Sequence, residues 1–398
     1  MELYDLINDP DEKINLASKH KGILNKLKTI ADNFIREASQ NALQVDYRHM
    51  DEETRQKLTA LGYIGSFTDQ SQLEGKELAD PKDKITIFNR LSRARELGLQ
   101  GKFEKAVSII KKIIKEDPDV IDAYFTLGNL YFKENKFEQA IEYFFKVLEK
   151  KPNDTFTIIN IANSYIRMGN LKNAEKIILD SIDKVTPDSQ LYLILGNIKN
   201  FQKKYDEAIR YYKNCLDLNP YSASAYTALG GIYIIQDKLQ EAEEYLKRAL
   251  ELNPKLINLH YNYAQLLEKK GDLLGAAEEY KKELENMPHN FRASFNLSRI
   301  YRILGDEMNE EKYLNKTVES NPNFPLSYFY LARIYLNRGK DYKKAIELVK
   351  KGISLKPTKE FLPFGYFLLA DLYNRIGNNT LSRKYAEKGK EIQSSTNH

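Results

Sequence analysis

The chain has 398 residues, 42% of them hydrophobic, with 12 Pro and 19 Gly, which allows a large core and argues against a low-complexity chain. The lone Cys215 excludes an internal disulfide framework, and no apolar run approaches the roughly 20 residues needed to cross a bilayer. The net charge of +5 is uneven: residues 1–80 hold 10 Lys/Arg against 15 Asp/Glu, leaving 51 against 41 in the remainder.

In chain order, Glu2-Leu3-Tyr4-Asp5-Leu6-Ile7 predicts a short strand that turns at Asp9-Pro10. Helices are expected over Ser18 to Ala38 and over Asp51 to Leu61, before Gly62-Tyr63-Ile64-Gly65. The start lacks a basic n-region and an apolar h-region, so the chain as written carries no secretory signal and reads as cytoplasmic. Residues 1–66 resemble the extreme C-terminal end of a sulfatase, through Glu2-Leu3-Tyr4-Asp5-Leu6, Asp9-Pro10, Glu12 and Asn15-Leu16-Ala17. The stretch from Glu53 to Tyr63 is similar to the tails of bacterial sulfatases. That resemblance implies either a piece of a larger sulfatase–repeat fusion, which would be periplasmic or extracytoplasmic, or a gene that kept only the tail. The family's nucleophile motif, Cys/Ser-x-Pro-x-Arg, is missing, because Cys215 sits in Asn214-Cys215-Leu216-Asp217-Leu218.

Residues 67–84 read as a linker. Beyond it, Ala106, Ala140, Ala174, Ala208, Ala242 and Ala276 recur every 34 residues, and the next mark falls on Glu310. Pro118, Pro152, Pro220, Pro254, Pro288 and Pro322 keep the same period, with Thr186 at the one vacant mark. A fixed period of this length predicts stacked supersecondary units, each unable to bury its apolar face alone. Within one unit, Tyr124, Leu127, Gly128 and Tyr131 form one helical face, a turn follows at Glu134-Asn135-Lys136, and Phe137, Ala140, Phe144 and Val147 face inward from a second helix. Asp119 and Asp154 are expected to cap the first helices. Asn219, Asn253 and Asn321, each before Pro, are expected to end the second helices in the left-handed conformation. Small Gly128, Ala162, Gly196, Gly230 and Ala264 are expected to face the alanine ruler and let paired helices approach closely.

The pattern aromatic–x–x–Leu–Gly/Ala–x–x–Tyr, then Gly, then Ala, then Pro resembles the tetratricopeptide repeat over residues 85–393. Nine units begin near Ile87, Ile121, Thr155, Ser189, Ala223, Ile257, Phe291, Pro325 and Pro363. The resemblance implies an all-α, right-handed superhelical solenoid of about nine helix pairs, whose first helices line a concave wall. Residues 394–398 are expected to form a disordered tail.

On that wall the implied peptide-facing residues begin with Asn129, Asn163 and Asn197, with Gln265 two units later. The row resembles the asparagine ladder of O-linked N-acetylglucosamine transferases; an amide donates and accepts, so it can hold an extended backbone without reading its side chains. The other reading is that Asn tolerates a wet helix face. Phe125, Phe132, Phe156, Ile159, Leu193 and Phe201, then Tyr261, Phe295 and Phe329, offer apolar pockets or else contacts between neighbouring units. Later, Arg292, Arg299, Arg302, Arg333 and Arg375 suit carboxylates or phosphates. A carboxylate clamp of the chaperone-binding type is not expected, because Lys is absent from the places held by Leu91, Phe125, Ile159, Leu193, Thr227, Tyr261, Phe295 and Phe329.

The five His are scattered without metal-ligand spacing, His260 falls at a packing position, and no phosphate-cradling loop occurs. No catalytic residue, metal or cofactor is expected. The expected function is a non-catalytic scaffold that binds a protein segment, with no membrane insertion. Interleaved Glu argues against nucleic acid despite the basic repeats.

Overall fold

The computed structural model describes residues 15–41, 81–185 and 187–396. The chain divides into two units, Met1–Met50 and Asp51–His398. In the first, a helix over Lys21–Asn41 meets the expectation of a helix from Ser18, and it leaves Ile23, Leu27 and Ile30 exposed. The strand expected near Leu3 and the helix expected from Asp51 lie outside the described residues.

In the second unit the 34-residue ruler becomes nine helix pairs, each with a first (A) and a second (B) helix. They run Pro81–Leu99 with Phe103–Glu116, Ile121–Lys133 with Phe137–Lys150, and Thr155–Arg167 with Leu171–Ile182. The middle three are Ser189–Phe201 with Tyr205–Leu218, Ala223–Ile235 with Leu239–Leu252, and Leu259–Lys269 with Leu273–Asn286. The last three are Phe291–Ile303 with Glu307–Ser320, Pro325–Asn337 with Tyr342–Ser354, and Leu362–Arg375 with Asn379–Thr396. All the secondary structure among the described residues is helical, as expected.

Each helix packs against the next in chain order. The A helices of pairs 1–2, 4–5, 5–6 and 8–9 also touch one another, a closeness the B helices do not match, so the A helices take the inner side of the stack. Every alanine of the ruler from Ala106 to Ala276 is fully buried. A Cβ on Gly230 would lie 3.4 Å from the Ala242 carbonyl, as expected, but Gly128 and Gly196 serve a different partner. A Cβ on Gly128 would lie 2.5 Å from the Phe144 ring, and one on Gly196 would lie 2.5 Å from the Tyr212 ring. At both places the glycine thus makes room for a large side chain one turn beyond the ruler alanine, not for the alanine itself.

Asp154 caps its helix by accepting from Thr157 N at 2.9 Å, as expected. Asp119 does not cap; it pairs with Lys150 instead. Asn219, Asn253 and Asn321 are not left-handed either: their φ values are −139°, −151° and −144°. A following proline pushes the preceding residue into extended backbone, where each Asn side chain accepts from the N–H two residues on. Each A–B turn instead holds a left-handed residue, namely Gly101, Asn135, Gly169, Lys203, Asp237, Gly271, Gly305, Gly339 and Gly377, and Asn258, Asp341 and Lys356 are left-handed too.

The first A helix starts at Pro81, earlier than Ile87 and within the stretch read as linker, because Pro suits the first turn of a helix. The sixth starts late, at Leu259, because Asn258 is left-handed and donates its N–H to Glu283, 3.0 Å away. The last helix continues to Thr396, past residue 393, with Ser394 and Ser395 hydroxyls donating to preceding carbonyls. Its Arg383, Lys384, Glu387, Lys388 and Lys390 are exposed, the polar outer face that a terminal unit requires.

Candidate functional site

The A-helix residues expected to face inward divide into two stretches. In pairs 2–4, Asn129 and Asn163 are half-buried, and their amides make no hydrogen bond among the described residues. Asn197 keeps the same register but is partly committed: the Tyr212 hydroxyl donates to its Oδ1 at 2.8 Å. Burial raises the Tyr212 phenol above its usual range, so that hydroxyl stays a donor.

The aromatic residues expected beside this row separate into three groups. Phe125, Phe132 and Phe156 are half-buried; Phe125 leans on Phe144 at 5.9 Å and Phe132 meets Phe137 edge-on at 5.5 Å. Ile159 and Leu193 are buried and serve the contact between neighbouring units. Phe201 ends its A helix and is 71% exposed.

Phe329 does not lie on an open wall as expected. It is fully buried, in a slot that Gly352 and Gly365 leave open: a Cβ on either would come within 2.7 Å of its ring. Its face is therefore filled from within the chain and is closed to a guest.

In pairs 6–8 the residues expected to face inward carry charge. Arg299 is paired with Glu268, and the Tyr280 hydroxyl donates to the same carboxylate at 2.6 Å. Asn296 Nδ2 donates to the Tyr280 hydroxyl at 2.9 Å and to the Tyr261 hydroxyl at 3.3 Å. Gln265 reaches Tyr261 at 3.5 Å. Tyr261 stacks edge-on against Tyr280 at 5.6 Å.

One pair on, Arg333 Nη2 donates to Glu310 at 2.6 Å, and both Arg333 and Arg302 lie over the Tyr330 ring, at 5.1 and 4.5 Å. Phe295 packs between Phe324 and Tyr330. Burial pushes the Glu310 carboxyl up, against the pull of Arg333 and Arg302.

Sequence reasoning placed the three arginines here but missed Glu268, Glu310, Asn296 and Tyr330. The signal for Glu310 was its departure from the alanine ruler, which creates a buried charge that must find a cation. Arg375 lies elsewhere, 3.5 Å from Asp371 in the ninth A helix.

His260 packs as expected, and its ring is fully engaged: Nδ1 lies 2.6 Å from Glu279 and Nε2 lies 2.8 Å from the Pro254 carbonyl. The described residues contain no cluster of His, Cys, Asp and Glu fit to hold a metal. No described helix is long and apolar enough to cross a membrane.

Tetratricopeptide-repeat family models match residues 121–154, 188–255, 291–324 and 313–347. Among curated proteins none matches the chain. Among solved structures, the APC/C hetero-tetramer Cut9–Hcn1 aligns at 17% identity with a TM-score of 0.53, over 79% of this chain and 59% of that one. PilF of Pseudomonas aeruginosa aligns at 17% identity and a TM-score of 0.47, over 51% of this chain and 91% of its own. A tetratricopeptide repeat protein from Parabacteroides merdae also gives 17% and 0.47, covering 62% and 98%. At such identity the Cut9–Hcn1 likeness carries the fold alone. Spacing, helix pairing and family models agree, and the units of this all-α solenoid that the models match are tetratricopeptide repeats.

Proposed function

We propose that the repeats are a non-catalytic scaffold that holds an extended or helical segment of a protein partner along the inner side of the A helices. The observation that carries this reading is the pair Asn129 and Asn163. Two amides 34 residues apart share one register, half-exposed and uncommitted, where a backbone lying across successive units would meet one per unit. Asn197 extends the row through its amide NH2, its oxygen being held by Tyr212. Half-buried Phe125, Phe132 and Phe156 flank the row with apolar surface.

The test is capture of partners from the native host by the full chain, with bound proteins identified by mass spectrometry and affinity then measured on peptides from the captured protein. Replacing Asn129, Asn163 and Asn197 together by Ala is expected to lower affinity about tenfold or more while circular dichroism keeps its helical signal. Undiminished affinity removes the row from the binding surface.

A second reading draws on the sulfatase-like signature of residues 2–17 and 53–63. In it the repeats position a substrate or partner for a catalytic domain encoded upstream. The DNA upstream of Met1 decides: a contiguous frame containing Cys/Ser-x-Pro-x-Arg supports it, and its absence removes it.

A further inference from the structure

Resting on the scaffold reading, we infer that the inner face of pairs 6–8 selects acidic peptide segments, with Arg302 as the residue that takes the guest's carboxylate. Arg292, Phe295, Arg299 and Arg302 recur at i, i+3, i+7 and i+10 and therefore share one face of the seventh A helix. Arg333 joins them from the next A helix, through Tyr330. Four guanidiniums thus meet two carboxylates, Glu268 and Glu310, which are held by Arg299 and Arg333. Glu307 and Glu311 nearby are both engaged by Arg338. Among the described residues Arg292 and Arg302 form no ion pair, although Arg302 is near enough to Glu310 to pull on its carboxyl.

The two unpaired cations differ in preparation. Arg292 is exposed and rests on its neighbour Phe291. Arg302 is half-buried and its guanidinium lies over the Tyr330 ring at 4.5 Å, so it is positioned before any ligand arrives. A guanidinium held this way keeps its N–H fork free, and a fork matches a carboxylate through two parallel hydrogen bonds. Phe295 and Tyr330, in contact at 5.8 Å, give apolar side chains of the guest a surface beside it. The occupant that fits is a peptide with carboxylates spaced by apolar residues. Its acidic part lies on pairs 6–8 and its uncharged part on the amides of pairs 2–4.

The experiment uses the full chain and fluorescence anisotropy with two labelled peptides, one alternating Glu with Leu and the other Gln with Leu. The expected result is about tenfold tighter binding of the Glu peptide, weakening as salt rises. Arg302→Gln should remove that preference and leave the Gln peptide's affinity unchanged. Arg302→Lys, which keeps charge but lacks the fork, should restore part of it. Equal affinity for both peptides, or a preference that survives Arg302→Gln, overturns the acidic-segment inference while the scaffold reading stands. Failure of both peptides to bind overturns the two together. Displacement of the Glu peptide by a single-stranded RNA of similar length at equal concentration overturns it in favour of a nucleic-acid guest.

Discussion

The A helices of pairs 2–4 and those of pairs 6–8 are built on the same helical ruler and reach opposite electrostatic solutions. In the first, Asn129, Asn163 and Asn197 present uncharged amides over a core closed by Gly128 with Phe144 and Gly196 with Tyr212. In the second, Glu310 occupies a ruler position that elsewhere holds fully buried alanine, and Arg333 crosses from the next A helix to meet it. An identical backbone repeat therefore carries either a neutral or a charged wall. The difference rests on whether a helix contact is filled by apolar shape or by an ion pair.

The largest expected effect comes from breaking the charged side. Glu310→Ala restores the ruler residue but leaves Arg333 with its Nε already lacking a hydrogen-bond partner and its Nη2 newly orphaned. A loss of about 3 kcal/mol in urea unfolding is expected, since removing one partner of a buried pair leaves an uncompensated charge. Adding Arg333→Leu should recover most of it; if the double variant is as unstable as the single one, the pair is not the cause.

Breaking the neutral side should cost somewhat less. Gly196→Ala places a Cβ 2.5 Å from the Tyr212 ring, so the ring must move and its hydrogen bond to Asn197 must stretch. About 2 kcal/mol of destabilisation is expected from overpacking. An unchanged denaturation midpoint would show that the ring yields freely.

The smallest effect sharpens the contrast through pH. His260 faces two acceptors, the Glu279 carboxylate and the Pro254 carbonyl, and satisfies both only with a proton on each nitrogen. The hydrogen bond to Glu279 raises its pKa above the ordinary 6.5, against burial and the opposing charge of Lys282. The contribution is thus complete below pH 6.5 and lost as pH climbs through the folded value. For Glu279, burial works upward, but His260 and Lys282 together hold the carboxyl below the ordinary 4.5. Its contribution is complete above pH 4.5 and lost as pH falls through the folded value. The pair therefore stabilises most between those two ordinary values. A decline of about 1 kcal/mol is expected as pH rises beyond that window. His260→Gln should flatten the decline, and hydrogen exchange in pairs 2–4 should not follow it.

The sequence displayed the ruler, the pairing of helices and the register of the amide row because each depends on spacing alone. The extended backbone at Asn219, Asn253 and Asn321 was also legible in the proline that follows, a steric veto stronger than the left-handed tolerance of Asn. Phe329 was not legible as core, because its slot is made by Gly352 and Gly365, which only folding brings against it. Lys199 is a similar case: it stands where neighbouring pairs carry Tyr165 and Tyr233, and it is buried between Glu175 and Glu207, each 2.7 Å away on a different B helix. Long-range partners of this kind have no fixed offset, so periodicity reveals the departure and not its compensation.

The junction of the seventh and eighth pairs closes over a small apolar cluster, Leu314, Leu331 and Ile334, with the Glu310–Arg333 bridge beside it. In a stack whose cohesion is a sum over nearest neighbours, this link draws part of its strength from one buried ion pair. Losing that bridge would loosen a joint that lies within the span proposed to grip an acidic guest.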